Sequence, residues 1–221
     1  MSLILKDLKK GFHQGDTQIE VLKGLNVQVE PGQVVSIVGQ SGSGKSTLLS
    51  LLAGLERPDS GSILVDSVNL APMTEQELTL FRAQNIAIVF QQYHLMSHLT
   101  ALENVMLALE ILKLEKPRER AEEALRELGL GHRLNHFPSQ LSGGECQRVA
   151  IARALVVKPK ILLADEPSGN LDTHTGDKVM DVFFDIVKKH KITTLLVTHS
   201  EQLAARCERI LRLNEGQLRD A

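Results

Sequence analysis

A chain of 221 residues with 43% hydrophobic content can bury a core, in one large domain or two small lobes. Charged residues amount to 24% and the net charge is -2, so the totals imply no strongly basic face and no nucleic-acid partner is expected. Cys146 and Cys207, the only two cysteines, lack C-x-x-C spacing; they point to reduced thiols in a cytoplasmic protein and away from a disulfide scaffold or a zinc site.

Charges interrupt Met1-Ser2-Leu3-Ile4-Leu5-Lys6-Asp7 before an apolar region can build, so no signal peptide is expected. No apolar run approaches the roughly 20 residues of a membrane span, so a membrane role is expected to come through a partner. Residues 1–33 read as short antiparallel strands. Leu3, Leu5 and Leu8 share a segment ending at Gly11, and Gly15-Asp16 supplies a turn. Val21-Leu22 and Val27-Gln28-Val29 continue in extended form to a second turn at Pro31-Gly32. Phe12 stands out where aromatics are only 3% of the chain. Its ring could stack on a planar base or pack within a small sheet.

The apolar, β-branched run Val34, Val35, Ile37 and Val38 leads into Gly39-Gln40-Ser41-Gly42-Ser43-Gly44-Lys45-Ser46, which is G-x-x-x-x-G-K-[ST], and Thr47-Leu48-Leu49 continues as a helix. Strand, loop and helix in that order make a phosphate-binding site. The glycines let backbone N–H groups converge on a phosphate chain, and the helix start adds partial positive charge. Lys45 would reach the β- and γ-phosphates and Ser46 would ligate Mg²⁺. A nucleoside triphosphate is the expected ligand.

Beyond a loop over Gly54–Gly61, Ser62–Val65 returns as a strand, and Met73–Ala83 reads as a helix with Thr74 and Glu77 at capping-box spacing. Ile86–Phe90 is a buried strand ending at Gln91-Gln92. From Tyr93 to Leu155 helical periodicity dominates, interrupted near Pro117 and Pro138; Ala121, Ala124, Leu125 and Leu128 share one helix face. Residues 91–157 are therefore expected as a helical lobe inserted into an α/β core of 1–90 and 158–221. The core resumes with a strand at 161–164, a helix around Gly176–Lys189, a strand at Thr193–Thr198, and a hairpin through Asn214-Glu215-Gly216.

Further chemistry sits at strand and helix ends. Ile161-Leu162-Leu163-Ala164-Asp165-Glu166 is an apolar strand ending in two carboxylates. Asp165, at the strand's C-terminal edge, can hold Mg²⁺ directly or through water, and Glu166 suits a base that polarises attacking water. Leu141-Ser142-Gly143-Gly144-Glu145, before a helix, is a second anion-binding turn.

With these motifs the sequence resembles the ABC (ATP-binding cassette) ATPases over essentially its whole length. The resemblance implies one domain with a RecA-like P-loop NTPase core, an N-terminal antiparallel β-subdomain and an inserted helical subdomain. Leu141–Glu145 stands for the L-S-G-G-Q signature, with Glu at 145 in place of Gln. In that family Ser142, Gly143 and Gly144 of one subunit close over the γ-phosphate held by another, implying a head-to-tail dimer of two copies. By the same resemblance Phe12 stacks on adenine, where Tyr is commoner. Gln91, with its neighbour Gln92 as the alternative, contacts Mg²⁺ and water and relays to the membrane partner. Asn170-Leu171-Asp172 crosses the dimer interface, and His199, alone a surface residue at a strand end, contacts the γ-phosphate. His132 and His136 are too few for a metal site.

Glu166-Pro167-Ser168-Gly169-Asn170-Leu171-Asp172 and Leu141–Arg148 narrow the resemblance to the lipoprotein-releasing, macrolide-exporter and cell-division branch. Thr is usual there at 168 and Gln at 146. The implied function is an ATP-hydrolysing subunit, peripheral on the cytoplasmic face of a membrane, that drives a separate transmembrane permease. A docking surface is expected over Gln91–Val105, where Leu95, Met96 and Leu99 lie close, although a buried helix face explains those residues equally. Two other readings stand beside it: a signalling module that transports nothing, and a soluble ABC ATPase. The latter usually carries fused second cassettes or long coiled-coil insertions, and this chain shows neither.

Overall fold

Leu3, Leu5 and Leu8 are all fully buried, although a flat strand would send Leu8 to the opposite face from Leu5. The computed structural model, which describes residues 1–15 and 17–221, shows why. Strand β1 (Leu3–Gln14) pairs antiparallel with β2 (Thr17–Val29), and the register shifts between Leu5 and Leu8 around Asp7, whose φ is 45°. This bulge turns Leu8 back into the core. The strands are thus long, not short, and β1 runs through Gly11 where a strand end was expected. The expected turn at Gly15-Asp16 falls partly on Asp16, outside the described residues; Gly15 has φ +60°. Two compact units emerge: Met1–Arg82 with Lys191–Ala221, and Ala83–His190.

In the first unit β3 (Val34–Val38) is buried at every position, the mark of a parallel strand covered on both faces. It leads to α1 (Lys45–Leu52), which buries Leu48, Leu49, Leu51 and Leu52. Strands β4 (Ser60–Val65) and β5 (Val68–Asn69) complete an antiparallel sheet in the order β2-β1-β4-β5. Gly61 is required in β4, because a Cβ there would strike the backbone oxygen of Asp7 at the bulge. Helix α2 (Glu75–Asn85) starts with the expected box: Thr74 N donates to Glu77 Oε2 (2.7 Å) and Glu77 N to Thr74 Oγ1 (3.3 Å).

The second unit pairs β6 (Ile86–Val89) in parallel with β7 (Ile161–Asp165), Ile86 opposite Ile161. Its helices are α3 (Ala101–Ile111), α4 (Pro117–Glu127), α5 (Gly143–Leu155) and α6 (Thr173–His190). The helical stretch begins at Ala101 and not at Tyr93. Asn104, fully buried, accepts from Met96 N (2.8 Å) and donates to the carbonyls of Met96, Leu99 and Thr100. That network holds 96–100 as irregular chain until the Thr100–Glu103 capping box opens α3. Pro117 starts α4 in its first turn, where its missing N–H costs nothing. Ala121, Leu125 and Leu128 are buried as their spacing predicts, while Ala124 is half-buried.

The chain then returns to the first unit as β8 (Thr193–Val197), α7 (Glu201–Ala204), β9 (Arg209–Asn214) and β10 (Gln217–Asp220). Strand β3 lies between β8 and β9, parallel to both, and β10 runs antiparallel to β9. Glu215 and Gly216, at φ 49° and 77°, make the expected hairpin turn. No helix of the described residues is long and apolar enough to cross a membrane.

Candidate functional site

The loop after β3 is built to surround something. Gly44, with φ +101°, stands at the start of α1, a backbone conformation that a side chain would strain. A Cβ on Gly39 would run into the Leu213 carbonyl and come within 2.8 Å of Ser43 Oγ. Ser43 Oγ is buried and has no hydrogen-bond partner among the described residues. Lys45 lies along the loop, its Nζ donating to Gly39 O and Gln40 O at 2.8 Å each. A cradle with a converging cation, an unmatched buried hydroxyl and a helix start fits a polyphosphate. Ser46, exposed in the first turn of α1, presents a hydroxyl oxygen of the kind Mg²⁺ accepts. Among the described residues no three His, Cys, Asp or Glu side chains gather as a metal cage. Mg²⁺ held by one or two protein oxygens and substrate phosphates needs none.

His199 follows β8, whose Val197 pairs with Ile37 of β3, and Thr198 N donates to Ile37 O (3.2 Å). The histidine and the phosphate loop therefore leave neighbouring parallel strands at the same end. Phe12 is 41% exposed, so its ring is not consumed by core packing. Lys10 Nζ lies 5.2 Å from the ring centroid, anchored by Glu56 Oε1 (2.9 Å) and Arg57 O (2.8 Å). The sequence carries no signal for this cation beside the ring; Lys10 and Glu56 are 46 residues apart, with nothing local to link them.

In the second unit, the signature residues open α5. Ser142 is the N-cap: Glu145 N donates to Ser142 Oγ (3.3 Å) and Ser142 N to Glu145 Oε2 (2.8 Å). Glu145 also accepts from Arg133 Nε (2.9 Å). The Ser142 N–H first, and Arg133 beside it, hold the Glu145 carboxyl below the usual range against the opposing effect of burial. Glu at 145 is thus a capping residue with its charge matched. Gly143 and Gly144 pack closely: a Cβ at 143 would lie 2.9 Å from Tyr93 Oη, and one at 144 would lie 2.5 Å from Thr175 Cγ2.

Gln91 and Asn170 are joined twice, Gln91 Nε2 to Asn170 Oδ1 (3.1 Å) and Asn170 Nδ2 to Gln91 O (3.0 Å). Gly169 allows this, since a Cβ there would sit 2.9 Å from Gln91 Nε2. Asp165 ends β7, and Glu166 turns the chain with φ 45°. Asp172 accepts from Thr175 N (3.0 Å) at the start of α6, and the Thr175 hydrogen bonds lower its carboxyl pKa. Of the expected docking residues, Met96 is 45% exposed while Leu95 and Leu99 are half-buried.

The ABC transporter family profile matches residues 22–169. The chain belongs to the ABC transporter ATP-binding family. It is 47% identical to the lipoprotein-releasing system ATP-binding protein LolD of Geobacter metallireducens, over 99% of both chains. It is also 47% identical to the uncharacterized ABC transporter ATP-binding protein YbbA of Escherichia coli K12, over 96% of this chain and 94% of that one. A dimeric post-hydrolysis structure of the ATP-binding cassette MJ0796 bound to ADP and Pi superposes with a TM-score of 0.90 at 40% identity, covering 99% of this chain and 97% of the other. The protein is an ABC-type ATPase, with the α/β core, antiparallel β-subdomain and helical elements of that family.

Proposed function

We propose that this protein is the ATP-hydrolysing subunit of a lipoprotein-releasing membrane complex, peripheral on the cytoplasmic face. The observation that carries the reading is 47% identity to LolD over 99% of a chain whose Ser142-Gly143-Gly144 turn caps a helix. One ATPase domain comprises a core of 1–90 and 158–221 and a helical subdomain of 91–157. Two copies work head to tail, the phosphate loop of one (Gly39–Thr47) facing the Ser142–Gly144 turn of the other. Lys45 binds the β- and γ-phosphates, and Ser46, Gln91 and Asp165 would hold Mg²⁺, which supplies charge neutralisation on those oxygens. Glu166 polarises the attacking water, His199 contacts the γ-phosphate and Asp172 lines the interface. A transmembrane permease docks on 91–105 around exposed Met96.

The equal identity to YbbA favours, as second reading, a complex of the same build with other cargo. Reconstitution with a candidate transmembrane permease separates them. ATP-dependent release of a lipid-anchored protein from proteoliposomes is the expected result; permease-stimulated ATPase activity without release points to other cargo, and no stimulation sinks the membrane role.

Phe12 is proposed as the adenine platform. Phe12→Ala should weaken nucleotide binding by roughly 1–3 kcal/mol, the scale of base–aromatic stacking. ATP and GTP should lose similar amounts, because a π-face does not read exocyclic groups. Titration of a fluorescent nucleotide checks this, and unchanged affinity with a lowered melting temperature would assign the ring to packing.

A further inference from the structure

Helix α5 does more than present the signature turn. Near its far end Arg153 sends Nη1 to His94 O (2.6 Å) and Nη2 to Tyr93 O (2.9 Å). Both are charge-assisted bonds from one planar fork to consecutive carbonyls. One helix turn and a half earlier, Gln147 Nε2 reaches Phe90 O (3.4 Å). At the start of the helix Gly143 lies against the Tyr93 hydroxyl. A single rigid element therefore grips the chain on both sides of Gln91. His94 meanwhile has φ 46°, a left-handed conformation that strains a non-glycine residue unless neighbours impose it. Apart from the Arg153 fork, it is braced by an edge-on contact with Phe90, ring centroids 5.2 Å apart.

We propose that Arg153 is a positioning residue for hydrolysis: it fixes the path of residues 92–94 against α5, so that Gln91 and the signature turn move as one body. The inference rests on the proposed role of Gln91. Burial opposes the Arg153 charge and lowers its pKa, so the cation is kept there against a desolvation cost that surface arginines escape. The planar guanidinium meets each of the two carbonyls with its own nitrogen, a fork that the single nitrogen of a lysine ammonium or a glutamine amide does not offer.

The test uses the full chain. Arg153→Gln should lower kcat by about tenfold or more, in keeping with the cost of misplacing a group near the chemistry, while KM for ATP changes less than about twofold. Amide exchange should rise at 92–96 and stay protected along α5. Arg153→Lys, which keeps the stem and charge should the first variant fold poorly, should show a smaller kcat loss at unchanged KM. His94→Gly added to Arg153→Gln should recover part of kcat, because glycine adopts φ 46° without a clamp. Wild-type kcat in both Arg153 variants, or exchange spread through α5 with no recovery from glycine, overturns the proposal. Gln91→Ala with wild-type turnover overturns the role of Gln91 and this inference together; a slowed Gln91→Ala beside unaffected Arg153 variants overturns this inference alone.

Discussion

Lys45→Ala is expected to reduce ATP hydrolysis by at least about 10³-fold, at or beyond the loss from removing one donor to developing transition-state charge. The Lys45 ammonium donates to Gly39 O and Gln40 O, and so it lies along the loop proposed to receive the phosphates. On the role proposed for Lys45, alanine would take that cation away from the β- and γ-phosphates and leave the two carbonyls to repel them. The fold should survive. Lys45 opens α1, but the buried face of that helix is Leu48, Leu49, Leu51 and Leu52, none of which the change touches. Alanine is also a strong helix former at that position. Phosphate release measures the loss, and circular dichroism with a melting curve checks the fold. A folded variant that turns over at the wild-type rate would remove the phosphate loop from the active site.

What could be read beforehand follows the range of the interactions. The phosphate loop, the β7 strand before Asp165 and the turn at Ser142 are contiguous in sequence, so their chemistry lies in adjacent letters. The box at Thr74–Glu77 was legible for the same reason. An identical T-x-x-E spacing at Thr100–Glu103 marks the true start of α3, but apolar Leu95, Met96 and Leu99 mimic helical spacing upstream. What prevents that helix is Asn104, whose side chain takes four hydrogen-bond partners from 96–100. A buried amide commits its partners only once the fold brings them near, so periodicity could not show it. The bulge at Asp7 is similar, since it depends on Gly61 from another strand. At the site, the long-range links were the hidden ones: Gln91 with Asn170, Arg153 with Tyr93 and His94, Lys10 with Glu56. Glu at 145 calls for a counter-charge, but only the fold shows that Arg133, twelve residues away, supplies it.

Glu166→Gln separates two roles for a carboxylate that sits just past β7 with φ 45°. The amide has the same size and the same backbone, so any strain at that turn is unchanged. If Glu166 polarises the attacking water, losing the base should cost about 10²–10⁴ in turnover. ATP should still bind, because Lys45, Ser46 and the glycine loop are untouched. With hydrolysis blocked, the Ser142–Gly144 turn of each copy can remain on the γ-phosphate held by the other. The variant should then elute as a dimer with ATP and Mg²⁺ and as a monomer without nucleotide. Adding Ser142→Arg should abolish that dimer by placing bulk and charge where the two copies meet. This second change also removes the N-cap that accepts from Glu145 N, at a cost of ~1 kcal/mol to the helix, so its melting temperature must be followed alongside. A double variant that melts only a few degrees lower yet stays monomeric with ATP supports the sandwiched site. If Glu166 is only a structural acid, Glu166→Gln will hydrolyse ATP near the wild-type rate and remain monomeric, and the head-to-tail mechanism falls with it.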